Sequence, residues 1–191
     1  MIKILIALTV LSISSTNLYA ATDVVAGEKK AGTCAGCHGA KGINKNAQFP
    51  ILAGQKAAYI ASQLRAFKKG TRINPMMQSM AKNLSSEDIN NLAAYFSGLK
   101  NNTNHTNDIK MADDTASKAS MCKGCHGSNA EGRGGFPRLA NQHVKYLENQ
   151  LKAFKSGDRK SSPMSGISKS LSDEDIKQLS VYMSSLNAEK K

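Results

Sequence analysis

The sequence contains no tryptophan and few acidic residues for its size. Among its 191 residues, 26 are Lys or Arg and 14 are Asp or Glu, so the formal net charge is +12. No stretch after the first 20 residues is apolar enough for a membrane helix. No segment alternates apolar and polar residues with the period of two that indicates a β-strand. These absences argue against a membrane-spanning protein and against a β fold, and they predict a soluble, all-α protein.

The first 20 residues have the plan of a secretory signal peptide. Lys3 precedes an apolar run from Ile4 to Leu11, which is too short to span a bilayer, and small residues end the segment at Ala20. Cleavage after Ala20 would lower the net charge from +12 to +11, because Lys3 is the only charged residue removed. The sequence therefore predicts an exported protein with a signal peptide at 1–20.

The excess of basic residues narrows the choice of partners. A strongly basic exported protein could bind acidic proteins, anionic lipid or nucleic acid. Its Lys and Arg residues are scattered over predicted helix faces without an RNA- or DNA-binding motif, so nucleic acid is not expected. We expect acidic protein partners, and peripheral association with a membrane is left open.

The chain consists of two similar units. The segment CAGCHGAKGINKNAQFPILAGQKAAYIASQLRAFKKGTR from Cys34 matches CKGCHGSNAEGRGGFPRLANQHVKYLENQLKAFKSGDR from Cys122. Because two repeats are too few for a solenoid, each unit of about 80 residues must close its own core. We predict an N-terminal domain at 21–102 and a C-terminal domain at 103–191. A polar linker at about 101–116 would join them.

Each unit is predicted to be helical. Apolar residues at helical spacing predict one helix that ends at Gly70 and an equivalent helix that ends at Gly157. A last helix in each unit starts with an acidic capping box, at Ser85 and at Ser172. One apolar stripe on each last helix is expected in the core: Ile89, Leu92, Ala93, Phe96 and Leu99, and then Ile176, Leu179, Met183 and Leu186.

All four cysteines lie in Cys-x-x-Cys-His motifs, a pattern that is the attachment signature of c-type haem. In such a motif two thiols form thioethers with the haem and the histidine becomes the proximal iron ligand. A zinc site would need a second Cys/His pair nearby, and a thioredoxin-like redox pair would need a βαβ unit. Neither unit offers these features, so we predict two covalently bound haems c. The residues concerned are Cys34, Cys37 and His38, and Cys122, Cys125 and His126.

Small domains of this size often recruit a prosthetic group to complete their interior. Both units resemble class I cytochrome c domains, and the tandem resembles the di-haem cytochrome c4 family of bacterial electron carriers. The resemblance rests on both Cys-x-x-Cys-His motifs, the segments FPILAGQ and FPRLANQ, a methionine segment, and the helix starts LSSEDI and LSDEDI. It implies two tandem domains related by pseudo-symmetry, His/Met iron ligation and a periplasmic location. It also implies that the carbonyls of Pro50 and Pro137 accept the Nδ1–H of the two haem histidines.

The sixth iron ligand is expected in the methionine segment of each unit. NPMMQSM, at 74–80, is predicted to be a polar loop because Pro and Asn lead into it and Ser and Gln separate its methionines. When the two segments are aligned on the Arg before them and the Leu after them, Met77 falls opposite Met164. We therefore predict Met77 and Met164 as iron ligands.

Two other methionines of the first segment remain alternatives. Met80 falls opposite Ile167 in this alignment, which predicts a packing role for it. An alignment on the prolines instead nominates Met76, although it needs a compensating shift before the following leucine.

An iron with His and Met ligands has no open position, so chemistry on a substrate or on oxygen is disfavoured. The predicted function is outer-sphere one-electron transfer between respiratory redox partners by a monomeric carrier that is not an enzyme. Its expected partners are acidic proteins such as a membrane-bound reductase or a terminal oxidase. The alternative is a di-haem electron-transfer subunit of a larger enzyme, such as a flavocytochrome dehydrogenase or an oxidase complex.

The remaining histidines and the paired tyrosines are assigned no redox role. Two histidines do not recur in both units and are expected to lie on the surface. The tyrosines do recur and are expected to pack in the core and at the haem edge. These residues are His105 and His143, and then Tyr59, Tyr146, Tyr95 and Tyr182.

Overall fold

The computed structural model describes residues 22–103 and 113–188. The predicted signal peptide and most of the predicted linker lie outside these ranges. The described residues form helices and no extended strand, and none of these helices is long and apolar enough to cross a membrane. The α-helices are Val24–Ala31 (α1), Ala35–His38 (α2), Ala57–Lys69 (α3), Pro75–Ala81 (α4), Ser86–Gly98 (α5), Thr115–Lys118 (α6), Ser120–His126 (α7), Val144–Ser156 (α8), Ser162–Lys169 (α9) and Asp173–Ser185 (α10).

The first unit is built around the crossing of α1 and α5. Gly27 makes this crossing close, since a Cβ atom at that position would lie 2.2 Å from the carbonyl oxygen of Asn91. Helix α3 also packs against α5. The predicted stripe of α5 is confirmed, with Leu99 only partly buried. The buried core of this unit consists of Ala31, Ile60, Ala61, Ile89, Leu92, Ala93, Tyr95 and Phe96.

The second unit repeats this arrangement, with α6, α8 and α10 in the places of α1, α3 and α5. The predicted stripe of α10 is confirmed, with Leu186 only partly buried. Its buried core consists of Ala119, Ala130, Ala140, Leu147, Leu171, Ile176, Leu179 and Met183. Two helical units therefore each close their own core, as the repeat predicted.

The predicted helix ends are also confirmed. Gly70 and Gly157 follow α3 and α8 in the left-handed conformation, with φ of 75° and 89°. The side chains of Ser85 and Ser172 each accept a hydrogen bond from the backbone N–H three residues later. The carboxylate of the aspartate at that position accepts a hydrogen bond from the serine N–H.

The prediction of a polar loop at 74–80 was wrong, because Pro75–Ala81 is helix α4. Asn74 is the N-cap, and its Oδ1 accepts a hydrogen bond from the N–H of Met77 at 2.9 Å. Pro75 occupies the first helical position, where its missing N–H costs nothing. The equivalent segment of the second unit is also a helix, α9, with Ser161 as its N-cap.

The two units contact each other through an exchange of glutamine side chains. The side-chain amide of Gln55 pairs with the backbone of Arg138, accepting from its N–H at 2.7 Å and donating to its carbonyl at 3.0 Å. The amide of Gln142 pairs in the same way with the backbone of Ile51, at 2.9 and 3.1 Å. Because Gln55 is equivalent to Gln142 and Ile51 to Arg138, the contact obeys a pseudo-two-fold axis.

Candidate functional site

Each Cys-x-x-Cys-His motif forms one helical turn that aligns its cysteines and histidine. Cys34 caps α2, and the backbone N–H of His38 donates to the Cys34 carbonyl at 2.9 Å. Residues three and four apart on a helix lie on one face, so both thiols and the imidazole point to the same side. The motif in α7 has the same helical arrangement.

A glycine ends both turns directly after the histidine. Gly39 has φ of 77° and Gly127 has φ of 92°, a region that side chains rarely adopt. A Cβ atom on Gly39 would lie 2.0 Å from the carbonyl oxygen of Ile43. The chain can therefore turn sharply away behind each histidine only because glycine follows it.

The two motif histidines are buried and oriented by proline carbonyls. The Nδ1–H of His38 donates to the Pro50 carbonyl at 2.9 Å, and that of His126 donates to the Pro137 carbonyl at 2.8 Å. These contacts confirm the predicted role of both prolines. Such a bond fixes the ring orientation and leaves Nε2 as the nitrogen available to a metal.

The surroundings of these rings favour the neutral form that a metal ligand requires. Burial lowers the pKa of His38 and of His126 below the usual value, and the proline carbonyls oppose this effect only in part. Each ring also meets a phenylalanine edge, Phe49 or Phe136, at 6.1 Å between ring centroids.

No disulfide joins any two of the four cysteines, all of which lie among the described residues. Cys34 and Cys122 are partly buried, and burial raises the pKa of both thiols. Cys37 and Cys125 are exposed. Two cysteines outside any disulfide and a buried imidazole on one helical turn fit the attachment of one haem c in each unit. No competing cluster of three metal ligands exists among the described residues.

The methionines of the first unit differ in exposure. Met77 is half-buried, whereas Met76 and Met80 are 54% and 44% exposed. Met164 is half-buried as well, and both it and Met77 are the third residue of their helices. Burial and helical position therefore pair Met77 with Met164, as the sequence alignment does.

Arg138 is a buried cation that the sequence did not predict. It follows the proline that anchors His126 and is 4% exposed. Its guanidinium donates to the carbonyls of Gly54 at 3.1 Å and Ala53 at 3.0 Å, and also to that of Ala140. Burial lowers its pKa to about 10, and no carboxylate of the described residues forms an ion pair with it.

Two further predictions need correction, and one lies outside the described ranges. His143 was expected on the surface but is 6% exposed. Tyr59 and Tyr146 were expected to pack in the core or at the haem edge. They are half-buried, and each hydroxyl accepts a hydrogen bond from an arginine of the other unit. His105 belongs to the residues that the structure does not describe.

Known proteins match this chain in both sequence and structure. The family model "Cytochrome c" matches residues 24–100 and 115–187. Cytochrome c4 of Pseudomonas aeruginosa is 34% identical over 97% of this chain and 99% of its own length. A thiosulfate dehydrogenase electron acceptor of Thiomonas intermedia is 37% identical over 71% of this chain and 68% of its own length. The crystal structure of reduced recombinant cytochrome c4 from Pseudomonas stutzeri is 32% identical and gives a TM-score of 0.77, covering 87% of this chain and all of that chain.

Proposed function

Because this chain belongs to the cytochrome c family and, within it, to the cytochrome c4 proteins, we propose that it carries single electrons between respiratory redox proteins in the periplasm. As a member of this group it carries two covalently bound haems c and is an electron carrier rather than an enzyme. The observation that supports the proposal most directly is the repeated unit of two cysteines outside any disulfide and a proline-anchored histidine.

The proposed attachment residues are the cysteines of α2 and α7. Cys34 and Cys37 would hold one haem, and Cys122 and Cys125 would hold the other. The iron ligands would be His38 and Met77 in the first unit and His126 and Met164 in the second. Each haem supplies a ferric/ferrous couple that accepts and returns one electron.

The protein's own residues keep both sites closed to other chemistry. The Pro50 and Pro137 carbonyls hold the Nδ1 protons of the proximal histidines, so the imidazoles stay neutral and oriented. Met77 and Met164 would each be a second protein ligand of the iron and would exclude water or oxygen from it. We propose outer-sphere electron transfer because no position on either iron would then be open to a substrate.

The proposed location and partners of the mature protein follow from the predicted signal peptide and from the positive net charge. We propose that residues 1–20 direct export and that the mature domains are 21–102 and 103–191. The mature chain would be a basic monomer that docks on acidic redox proteins, such as a membrane-bound reductase or a terminal oxidase.

A second candidate function is that of an electron acceptor or electron-transfer subunit of a larger dehydrogenase. The thiosulfate dehydrogenase electron acceptor of Thiomonas intermedia favours it, since that relative is 37% identical over 71% of this chain. A free carrier is expected to purify alone, whereas a subunit is expected to purify together with a large flavoprotein or membrane complex.

The proposal is tested by counting haems and electrons. After expression with the machinery that attaches haem c, the mature mass should exceed that of the polypeptide by two haems, and acid acetone should extract neither. A redox titration should then take up two electrons per chain in two one-electron steps, and the ferrous protein should not bind carbon monoxide. One haem per chain, or carbon monoxide binding at either iron, would contradict it.

A further inference from the structure

Two arginines cross the contact between the units next to the methionine segments. The Nη2 of Arg72 donates to the Tyr146 hydroxyl at 3.2 Å and to the Gln150 Oε1 at 2.9 Å, both on α8 of the second unit. The Nη2 of Arg159 donates to the Tyr59 hydroxyl at 2.8 Å and to an amide oxygen at 2.9 Å, both on α3 of the first unit. Each arginine therefore binds the long helix of the opposite unit.

The two arginines also share their acceptors. Gln63 Oε1 accepts from Arg72 at 2.7 Å and from Arg159 at 2.9 Å. Gln150 Oε1 accepts from Arg159 at 2.7 Å and from Arg72 at 2.9 Å. The four side chains form a closed ring of hydrogen bonds, which we call the arginine–glutamine ring. No carboxylate takes part in it, so both positive charges are held by neutral oxygens.

Stacking and backbone bonds fix each arginine in its own unit. The Arg72 guanidinium lies 4.5 Å from the centroid of the buried Phe67 ring, and that of Arg159 lies 4.5 Å from the buried Phe154 ring. The backbone N–H of each arginine donates to the last turn of the preceding helix, at Ala66 or Ala153. Little freedom is left to either side chain.

The methionine helices begin immediately after these fixed points. Asn74, the N-cap of α4, lies two residues after Arg72, and Ser161, the N-cap of α9, lies two residues after Arg159. Met77 lies five residues after Arg72, and Met164 lies five residues after Arg159. The start of each methionine helix is therefore attached, through its arginine, to the other unit.

We propose that Arg72 and Arg159 are positioning residues for the sixth iron ligands and that each is held in place by the opposite unit. This inference rests on the proposed function, in which Met77 and Met164 are those ligands. Its consequence is a crossed dependence. The Met77–iron bond depends on Tyr146 of the second unit, and the Met164–iron bond depends on Tyr59 of the first.

The test uses the full chain with both haems attached, and two single-ligand backgrounds. In Met164→Ala, the remaining near-infrared sulfur-to-iron band of the ferric protein reports on Met77 alone. In Met77→Ala, the remaining band reports on Met164 alone. Imidazole, which displaces methionine from ferric iron, is the probe, and the concentration that removes half of the band is measured.

Tyr146→Phe and Tyr59→Phe are then compared on both backgrounds as matched controls for each other. Tyr146→Phe should lower the half-effective imidazole concentration for Met77 about threefold to tenfold, the range expected for one lost hydrogen bond. It should leave the concentration for Met164 unchanged, and Tyr59→Phe should show the opposite pattern. Gln63→Met should lower both concentrations, because Gln63 serves both arginines.

The possible results distinguish a failure of the crossed positioning from a failure of the proposed iron ligands. If Met164→Ala or Met77→Ala retains both sulfur bands, the assigned ligands are wrong and the inference falls with them. If each single variant loses one band but the tyrosine variants act within their own unit, or equally on both irons, the crossed positioning is wrong. An unchanged imidazole concentration in all tyrosine variants would also overturn it.

Discussion

The backbone N–H of Met77 donates to Asn74 Oδ1 over 2.9 Å, whereas the side chain of Ser161 makes no corresponding bond at the start of α9. The two methionine helices thus start differently although their sequences are aligned. The first has a complete cap directly beneath the residue proposed as an iron ligand, and the second does not. This difference can be measured.

Replacing Asn74 by alanine should destabilise the protein, because the Met77 N–H would lose its acceptor. An N-cap residue of this type contributes about 1 kcal/mol to the free energy of unfolding. Denaturant unfolding of the holoprotein measures the change. Ser161→Ala is the matched control and should have little effect, so equal losses from both variants would contradict the role of the cap.

Met77→Ala should remove one of two near-infrared sulfur-to-iron bands. The first haem should also bind carbon monoxide when ferrous and have a lower reduction potential, because methionine ligation raises that potential. Met76→Ala and Met80→Ala are the controls from the same helix, and both should keep two bands. Loss of a band in either control, with two bands retained in Met77→Ala, would show that the two segments are aligned incorrectly.

Acid should weaken the start of α10. The Nζ of Lys118 lies 2.5 Å from Oδ1 of Asp175. This lysine and the Ser172 cap hold the pKa of the Asp175 carboxylate well below its ordinary value. A depressed pKa gives stability that is present above the ordinary carboxylate pKa and is lost as pH falls through the lower, folded value. Asp175→Asn should therefore be less stable than the wild type at neutral pH, and the difference should shrink at about pH 3.

Asp173 provides the control for this change. It lies in the same first turn but is 80% exposed, and its ion pair with Lys155 spans 3.2 Å. Exposed pairs of this kind contribute little. Thermal unfolding at neutral pH and at about pH 3 should separate Asp173→Asn from Asp175→Asn. An equal pH dependence in both variants would count against Lys118 and the Ser172 cap as the source.

Removing the charge of Arg138 should lower the haem potentials. A buried positive charge favours the ferrous state, which carries one positive charge less than the ferric state. Arg138→Met should therefore lower the summed potentials by roughly tens of millivolts, as expected for an unscreened charge in the interior. Ile51→Met changes the equivalent position without a change of charge and should shift them less. A redox titration that shows equal shifts would contradict the effect of charge.

Docking to an acidic redox partner should depend on salt and on the first unit. Residues 21–100 carry a net charge of +7 and residues 101–191 a net charge of +4. The rate of electron transfer to a purified acidic oxidase should fall as ionic strength rises. Lys82→Glu should reduce it more than Lys169→Glu, which alters the equivalent exposed lysine of the second unit. A rate independent of salt would contradict electrostatic docking.

Local patterns predicted much of this molecule. The tandem repeat, the capping boxes, the glycine helix ends and the core stripes of α5 and α10 are encoded by nearby residues, and all appear in the structure. The start of α4 could have been predicted too, because Asn74 and Pro75 form a standard N-cap and first position.

The contact between the units could not be predicted in this way. Tyr59 and Arg159 are 100 residues apart in the chain, and nothing near either residue indicates the other. His143 was expected at the surface because it does not recur in the first unit, but it is buried, and recurrence alone gives no information about packing. Long-range packing decided these positions.

The buried Arg138 shows what joining the two units in one chain permits. An interface in which equivalent residues contact each other is the kind formed by two identical copies of a protein. In this chain the position is Arg138 in the second unit and Ile51 in the first. In a homodimer both copies would carry the arginine. Both guanidinium groups would then compete for the carbonyls of Ala53 and Ala140, which Arg138 already occupies alone. A single gene for both halves allows one of them to keep a charge that a symmetric pair could not bury.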